Sequence, residues 1–238
     1  MTAWSVVVPV KPWHLAKSRL KLPESTRYEV ARAMTLDTLE ALTAASLVRS
    51  VLVVSADSEV RSVAVRLGAR VIEDRPLASV DGLNVAVRLG RAWLTKEQPS
   101  APVAVVPTDL PGLTSATFDA LLGELGPSEP QHVVDMHGSG TTVLVAPGPH
   151  VLAPAFGIGS AQAHSTLGSY ARLDVDERLR RDVDTIDDWQ AFVISRASTG
   201  RHLKQAVTSK VSGLVPTRRV ASDVSRSRTD VDARWASR

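Results

Sequence analysis

A chain of 238 residues with 44% hydrophobic and 22% charged composition can bury one sizeable core. It contains no cysteine, which excludes disulfide frameworks, thiolate zinc sites and cysteine nucleophiles; any metal must be held by carboxylates, histidines or substrate oxygens, a donor set that suits a hard cation. The net charge of +3 sits at the far end: residues 201–238 carry nine Lys/Arg against three Asp, so the first 200 residues hold 19 basic and 22 acidic side chains of totals of 28 and 25, and a core there needs no nucleic-acid partner.

Met1-Thr2-Ala3-Trp4 runs directly into Ser5–Val10, an apolar stretch too short for a signal peptide or a membrane span, which predicts a cytoplasmic chain. Trp4–Val10, Val51–Ser55, Arg70–Ile72 and Val103–Val106 read as short buried strands. Helical patterns follow at Glu24–Ala45, Ser58–Leu67, Leu83–Leu94 and Ser115–Leu122, and this alternation predicts βαβ crossovers and a mostly parallel, Rossmann-like sheet flanked by helices. After Gly126-Pro127 the pattern changes: apolar runs at His132–Asp135 and Thr141–Ala146 around Gly138-Ser139-Gly140 predict a hairpin or mixed-sheet insertion. A last helix is expected over Ile186–Ala197, with Thr185 as N-cap and Asp187 and Asp188 meeting its dipole. Residues 1–200 are expected to form the domain and 201–238 a basic tail, flexible over most of 205–238.

Five segments carry possible chemistry. Lys11, Lys17 and Arg19 lie in the loop after the first strand, at the carboxyl end where open α/β sheets place ligands. Neither a Walker loop nor a dinucleotide glycine fingerprint is present, so a triphosphate there would rest on backbone amides and these three cations; a solvated basic loop is the alternative. In Asp81-Gly82-Leu83-Asn84, Gly82 and Asn84 could read a base or ribose, with a helix cap as the simpler account. Asp109, in Val105-Val106-Pro107-Thr108-Asp109-Leu110-Pro111, stands at the carboxyl end of a strand and six residues before Ser115, too far to cap that helix, and suits a Mg2+ ligand. The loop Gly157-Ile158-Gly159-Ser160, which opens a helix, could receive a carboxylate or phosphate on its backbone amides and the Ser160 hydroxyl. Asp182 and Asp184 could supply further metal ligands, since Asp187 and Asp188 are explained by the helix dipole. His164 receives no catalytic role, and Trp13, Trp93 and Trp189 read as packing or rim residues rather than stacking platforms.

Taken in order, Val8-Pro9-Val10-Lys11-Pro12 with Ala16-Lys17-Ser18-Arg19-Leu20, Gly82-Leu83-Asn84, Val106–Pro111, Gly140-Thr141-Thr142, Phe156–Ala161 and Asp182–Thr185 resemble the guanylyltransferases of deazaflavin coenzyme (F-420) biosynthesis. The resemblance spans about residues 4–195, and Ile158 stands where that pattern carries proline. It implies a nucleotidyltransferase fold related to the A-type glycosyltransferases, catalytic charge from Lys17 and Asp109, and Mg2+ on Asp109 with Asp182 or Asp184. GTP would lie on Lys11, Lys17, Arg19, Gly82 and Asn84, and a small phosphorylated carboxylic acid on Thr142, Gly157 and Ser160. It further implies hand-over of a labile product to the next enzyme of the pathway. The residues leave phosphoenolpyruvate and 2-phospho-L-lactate open, and the alanine-, arginine- and valine-rich composition favours the former. Another nucleotidyltransferase, of the molybdopterin or sugar-phosphate type, and a nucleotide-binding regulator are the competing readings.

Overall fold

Alternate residues of the Val-rich segments face opposite sides of one sheet, as the two-residue period of a strand requires. In the computed structural model, which describes residues 3–74, 81–195 and 200–208, strand β1 (Trp4–Pro9) sends Trp4, Val6 and Val8 into one core and Val7 into another. Strand β2 (Val48–Ser55) divides in the same way, with Val51 and Val53 on the first side and Leu52 and Val54 on the second. Strands β3 (Arg70–Glu73) and β4 (Val103–Val105) complete a parallel block in the order β3-β2-β1-β4.

Helices cover both faces. Helices α1 (Glu24–Thr43), α2 (Ser58–Arg66) and α4 (Ser115–Leu125) bury Leu36, Leu39, Val60, Val63, Phe118 and Leu121 in the first core, while α3 (Gly82–Glu97) buries Ala86, Val87 and Leu94 in the second. Helix α3 lies close to the sheet because Gly90 has no Cβ: one added there would stand 2.7 Å from Val7 Cγ1. The cap of α4 is the Thr114–Thr117 capping box, so Asp109 is not used as a cap.

The predicted change of pattern after residue 126 is a hairpin of β5 (Gln131–Val134) and β6 (Thr141–Ala146), with β6 antiparallel to both β4 and β5. Helix α5 (Ser160–Thr166) then leads to an edge strand, β7 (Tyr170–Arg172), which the sequence pattern did not predict. Its three residues are largely exposed and lack the apolar alternation of the other strands. The seven-stranded sheet runs β3-β2-β1-β4-β6-β5-β7 and is mixed but mostly parallel, as expected.

Helix α6 (Ile186–Ser195) opens on a capping box: the Asp188 N–H donates to Thr185 Oγ1 at 3.3 Å, and the Thr185 N–H donates to Asp188 Oδ2 at 2.7 Å. The packed chain does not end at the expected boundary of residue 200. Helix α7 (Arg201–Ala206) lies against α1, with Leu203 buried and the main-chain N–H groups of His202 and Leu203 donating to Asp37 at 3.0 and 2.9 Å. The tail over 209–238 lies outside the described residues. No described helix is long and apolar enough to cross a membrane.

Candidate active site

From β1 the chain steps outward to β2 and β3 and then crosses back to place β4 on the other side of β1. Such a reversal leaves a crevice at the carboxyl ends of the two central strands. A cleft of about 870 Å³ opens there, and its wall includes Lys11, Lys17, Arg19, Gly82, Asp109 and Asp184. The structure therefore brings the predicted cationic loop, the α3 N-terminus and the predicted metal ligands into one site.

Asp109 follows β4, and its carbonyl accepts the Val183 N–H at 3.1 Å, which draws the acidic segment 182–184 alongside it. Ligand oxygens of Asp109, Asp182 and Asp184 lie within 4.8 Å of one another. Lys17 Nζ stands 3.6 Å from Asp109 Oδ2, 3.1 Å from Asp184 Oδ1 and 2.7 Å from the Val183 carbonyl it donates to. Lys17 adopts a left-handed backbone conformation, φ 54°, which costs a residue with a side chain about 1–2 kcal/mol.

One cation faces three carboxylates, and the titration of the cluster reflects the surplus. Burial and then the charges of Asp109 and Asp184 push Asp182 up to about 7. Burial also raises Asp109 against the opposing pull of Lys17. For Lys17, burial opposes the charged form, but Asp109 and Asp184 outweigh it and hold the ammonium protonated. Three hard oxygen donors with uncompensated negative charge fit a divalent cation of the Mg2+ type, which would neutralise that surplus.

The residues expected to hold the acid are arranged differently: Thr142, Gly157 and Ser160 lie beyond the residues that line the cleft. Thr142 is buried and its hydroxyl donates to the Leu179 carbonyl at 2.6 Å. It thereby anchors the segment that carries Asp182 and Asp184. Arg180 fixes the same segment by donating to the carbonyls of Val134, Leu173 and Asp135. Asn84, expected to read the nucleotide, is buried and spends its amide on the main chain of Phe156, donating to its carbonyl and accepting its N–H, both at 2.8 Å. It is a brace between the first turn of α3 and the glycine loop. The amide of Ser160, expected to face a ligand, donates instead to the Gly157 carbonyl, and the next amide, of Ala161, donates to Ser139. Ser160 is buried, whereas Gly157, at φ 136°, is exposed.

His164 braces the loop from below. It is fully buried, its Nε2 accepts the Ala155 N–H at 2.9 Å, and its Nδ1 lies 2.9 Å from Thr141 Oγ1. Burial and then the neighbouring His132 lower its pKa to about 4, which keeps the ring neutral. Sequence spacing did not reveal this role, because Ala155 and Thr141 reach His164 only through the fold. Trp13 and Trp189 are buried packing residues, as expected, although Trp13 also forms part of the cleft wall.

The model of a family described as "Guanylyl transferase CofC like" matches residues 4–166. A phosphoenolpyruvate guanylyltransferase of Salinispora arenicola is 42% identical over 78% of this chain and 85% of its own, and one of Streptomyces scabiei is 39% identical over 79% and 89%. The fold is shared with the crystal structure of 4-diphosphocytidyl-2C-methyl-D-erythritol synthase, at a TM-score of 0.56 and 14% identity over 82% of this chain and 99% of that one. With the family model matched over residues 4–166 and these relatives 39% and 42% identical over more than three quarters of the chain, this protein belongs to the CofC-like guanylyl transferase family.

Proposed function

We propose that this chain transfers GMP from GTP to phosphoenolpyruvate and releases pyrophosphate, as a step in deazaflavin coenzyme (F-420) biosynthesis. The observation that carries the proposal is the cluster of Lys17, Asp109, Asp182 and Asp184 at the carboxyl ends of β1 and β4. Family membership supports guanylyl transfer, and the names of the relatives from Salinispora arenicola and Streptomyces scabiei support phosphoenolpyruvate as the acceptor.

A phosphate oxygen of the acid attacks the α-phosphorus of GTP in line; the new P–O bond forms as the bond to the β-phosphate bridging oxygen breaks, and pyrophosphate carries away the electron pair. No protein nucleophile is needed. Lys17 holds positive charge beside the transferred group, and Lys11 and Arg19, exposed on the cleft wall, bind the triphosphate. Asp109, Asp182 and Asp184 would hold Mg2+, whose contribution is charge neutralisation on the phosphates. Gly82 provides a close approach at the first turn of α3. Gly157 and Ser160 shape the acid subsite as parts of one braced loop, and Thr142 contributes through the acidic segment it anchors. The product is a reactive mixed diphosphate, which suits direct delivery to the enzyme that consumes it.

Pyrophosphate release from purified protein with GTP and Mg2+, comparing phosphoenolpyruvate, both enantiomers of 2-phospholactate and no acceptor, tests the reading. Release that depends on phosphoenolpyruvate is expected. Release with 2-phospho-L-lactate alone would move the acceptor assignment, and absence of release with every acid would overturn the transferase reading.

A further inference from the structure

The mechanism above leaves one charged group on the cleft wall without a task. Asp74 directly follows β3 and lines the cleft together with Ala56 and Gly82. Its N–H donates to the Ser55 carbonyl at 3.2 Å, which extends the β2–β3 pairing one residue past the strand and fixes the origin of the side chain. The residue is partly exposed, yet its Oδ1 is shielded from water and, among the described residues, has no hydrogen-bond partner. Other acids of the fold are supplied with donors: Asp135 accepts the amides of Ser139 and Gly140, Asp119 those of Ser46 and Leu47, and Asp109 faces Lys17. Burial alone lifts the Asp74 carboxyl, with no cation to oppose it. A shielded acceptor without a donor is costly to maintain and is the exception in folded proteins.

Its position suggests the missing donor, which the carboxylate can meet with both oxygens by rotating about its broad χ2 toward the cleft that it lines. With strands about 4.8 Å apart, the end of β3 lies roughly 14 Å along the sheet edge from the end of β4, where Asp109 sits. A nucleotide with its α-phosphate at the Lys17–Asp109 cluster would cross the ends of β1 and β2 and bring its base toward β3. Ala56, Gly82 and Ala86 line the cleft, and their small side chains leave room for a flat ring.

We propose that Asp74 determines base specificity, its carboxylate accepting the N1–H and the 2-amino N–H of guanine. The idea rests on the guanylyltransferase reading for the direction in which the nucleotide lies. Its chemistry is independent of that reading. An ionised carboxylate only accepts hydrogen bonds. Guanine presents two adjacent donors on its Watson–Crick edge, whereas adenine and cytosine place an acceptor at the ring nitrogen and uracil flanks its single donor with two carbonyls. Those three bases would oppose an acceptor to Asp74 or leave one of its oxygens unpaired, and a site built to pair a polar group discriminates strongly against ligands that cannot do so.

The experiment compares GTP, ITP, ATP and XTP on the full-length wild-type chain and on Asp74→Asn, by pyrophosphate release with phosphoenolpyruvate and separately by calorimetric nucleotide binding without acceptor. ITP lacks the 2-amino group, and wild-type protein should bind it about 10- to 100-fold more weakly than GTP, the worth of one charge-assisted hydrogen bond. In Asp74→Asn the preference should invert toward XTP, whose C2 carbonyl can accept from the new amide. Both readouts are ratios within one preparation, so partial misfolding of the variant does not mimic them. Equal binding of GTP and ITP by the wild type, or retention of the GTP preference over XTP by Asp74→Asn, overturns the proposal. Binding that discriminates GTP from ITP without any pyrophosphate release would sustain the role of Asp74 while removing the transferase reading; release with GTP and ITP alike would do the reverse.

Discussion

The two ends of the site are built on opposite principles. At the β1–β4 end, side chains face the cleft with charge to spare: one ammonium among three carboxylates whose oxygens converge within 4.8 Å. Around the glycine loop, the polar side chains are already spent on the protein, Asn84 on Phe156, Thr142 on Leu179 and His164 on Ala155 and Thr141. In the proposed mechanism the first region would act through functional groups and the second through main chain that the braced side chains hold in place. Substitutions at the first should therefore cost chemistry, and substitutions at the second should cost order.

The largest effect is expected at Asp109. Asp109→Asn should lower kcat by about 10³-fold, the scale seen when one preorganised charge-stabilising group is lost, while the melting temperature stays level or rises because one of three crowded carboxylate charges is removed. Unchanged pyrophosphate release in that variant would remove Asp109 from the mechanism.

A second prediction concerns what holds the charged end together. Leu203 of α7 shares a buried cluster with Leu20, beside the Lys17 loop, and with Val183, between two of the acids. Ending the chain at residue 200 should cost about 2–5 kcal/mol, the range for deleting a buried Leu side chain, and should slow turnover; ending it at 208 should leave α7 seated. Urea denaturation of the two truncations separates them, and equal stability would show that α7 contributes nothing to the site.

The braced end carries a pH signature. His164 is neutral in the fold with its pKa lowered to about 4, whereas an unfolded histidine takes up its proton near 6.5. Between those values the unfolded chain binds more protons, so the stabilisation is complete above pH 6.5 and is lost as pH falls toward 4, by roughly 3 kcal/mol in all. In His164→Gln this part of the pH dependence should vanish from denaturant midpoints recorded between pH 4 and 7; an unaltered profile would assign the acid sensitivity elsewhere.

The smallest expected effect belongs again to the charged end. At tenfold its Kd, Mg2+ should stabilise the protein by about 1–2 kcal/mol. The gain should shrink below pH 7, because the Asp182 carboxyl, raised to about 7, then holds a proton that the metal must displace. Thermal melts with Mg2+ and with EDTA at pH 6 and 8 check this, and stabilisation that survives Asp182→Asn undiminished would move the cation away from the cluster.

The strand–helix alternation, the hairpin around Gly138–Gly140 and the acids at 109, 182 and 184 were legible in the sequence because each is local: apolar period, turn residues, or a carboxylate at a strand end. Edge strand β7 was not, because an exposed three-residue strand bears no core-facing period. The helix at 201–206 was hidden by the polar composition around it, since its seat depends on Asp37 and on α1 far back in the chain.

Sequence by itself thus determined the fold class, the strand end at which the acids gather and the residues that can carry charge, since periodicity and residue chemistry are properties of neighbouring positions. Only the tertiary structure decided which polar groups remain available. Asn84 and Thr142 are satisfied by main chain 72 and 37 residues away, whereas Oδ1 of Asp74 is left without a partner among the described residues. Hydrogen bonds are short-ranged and directional, so whether a buried side chain is spent or free depends on contacts that no local spacing contains.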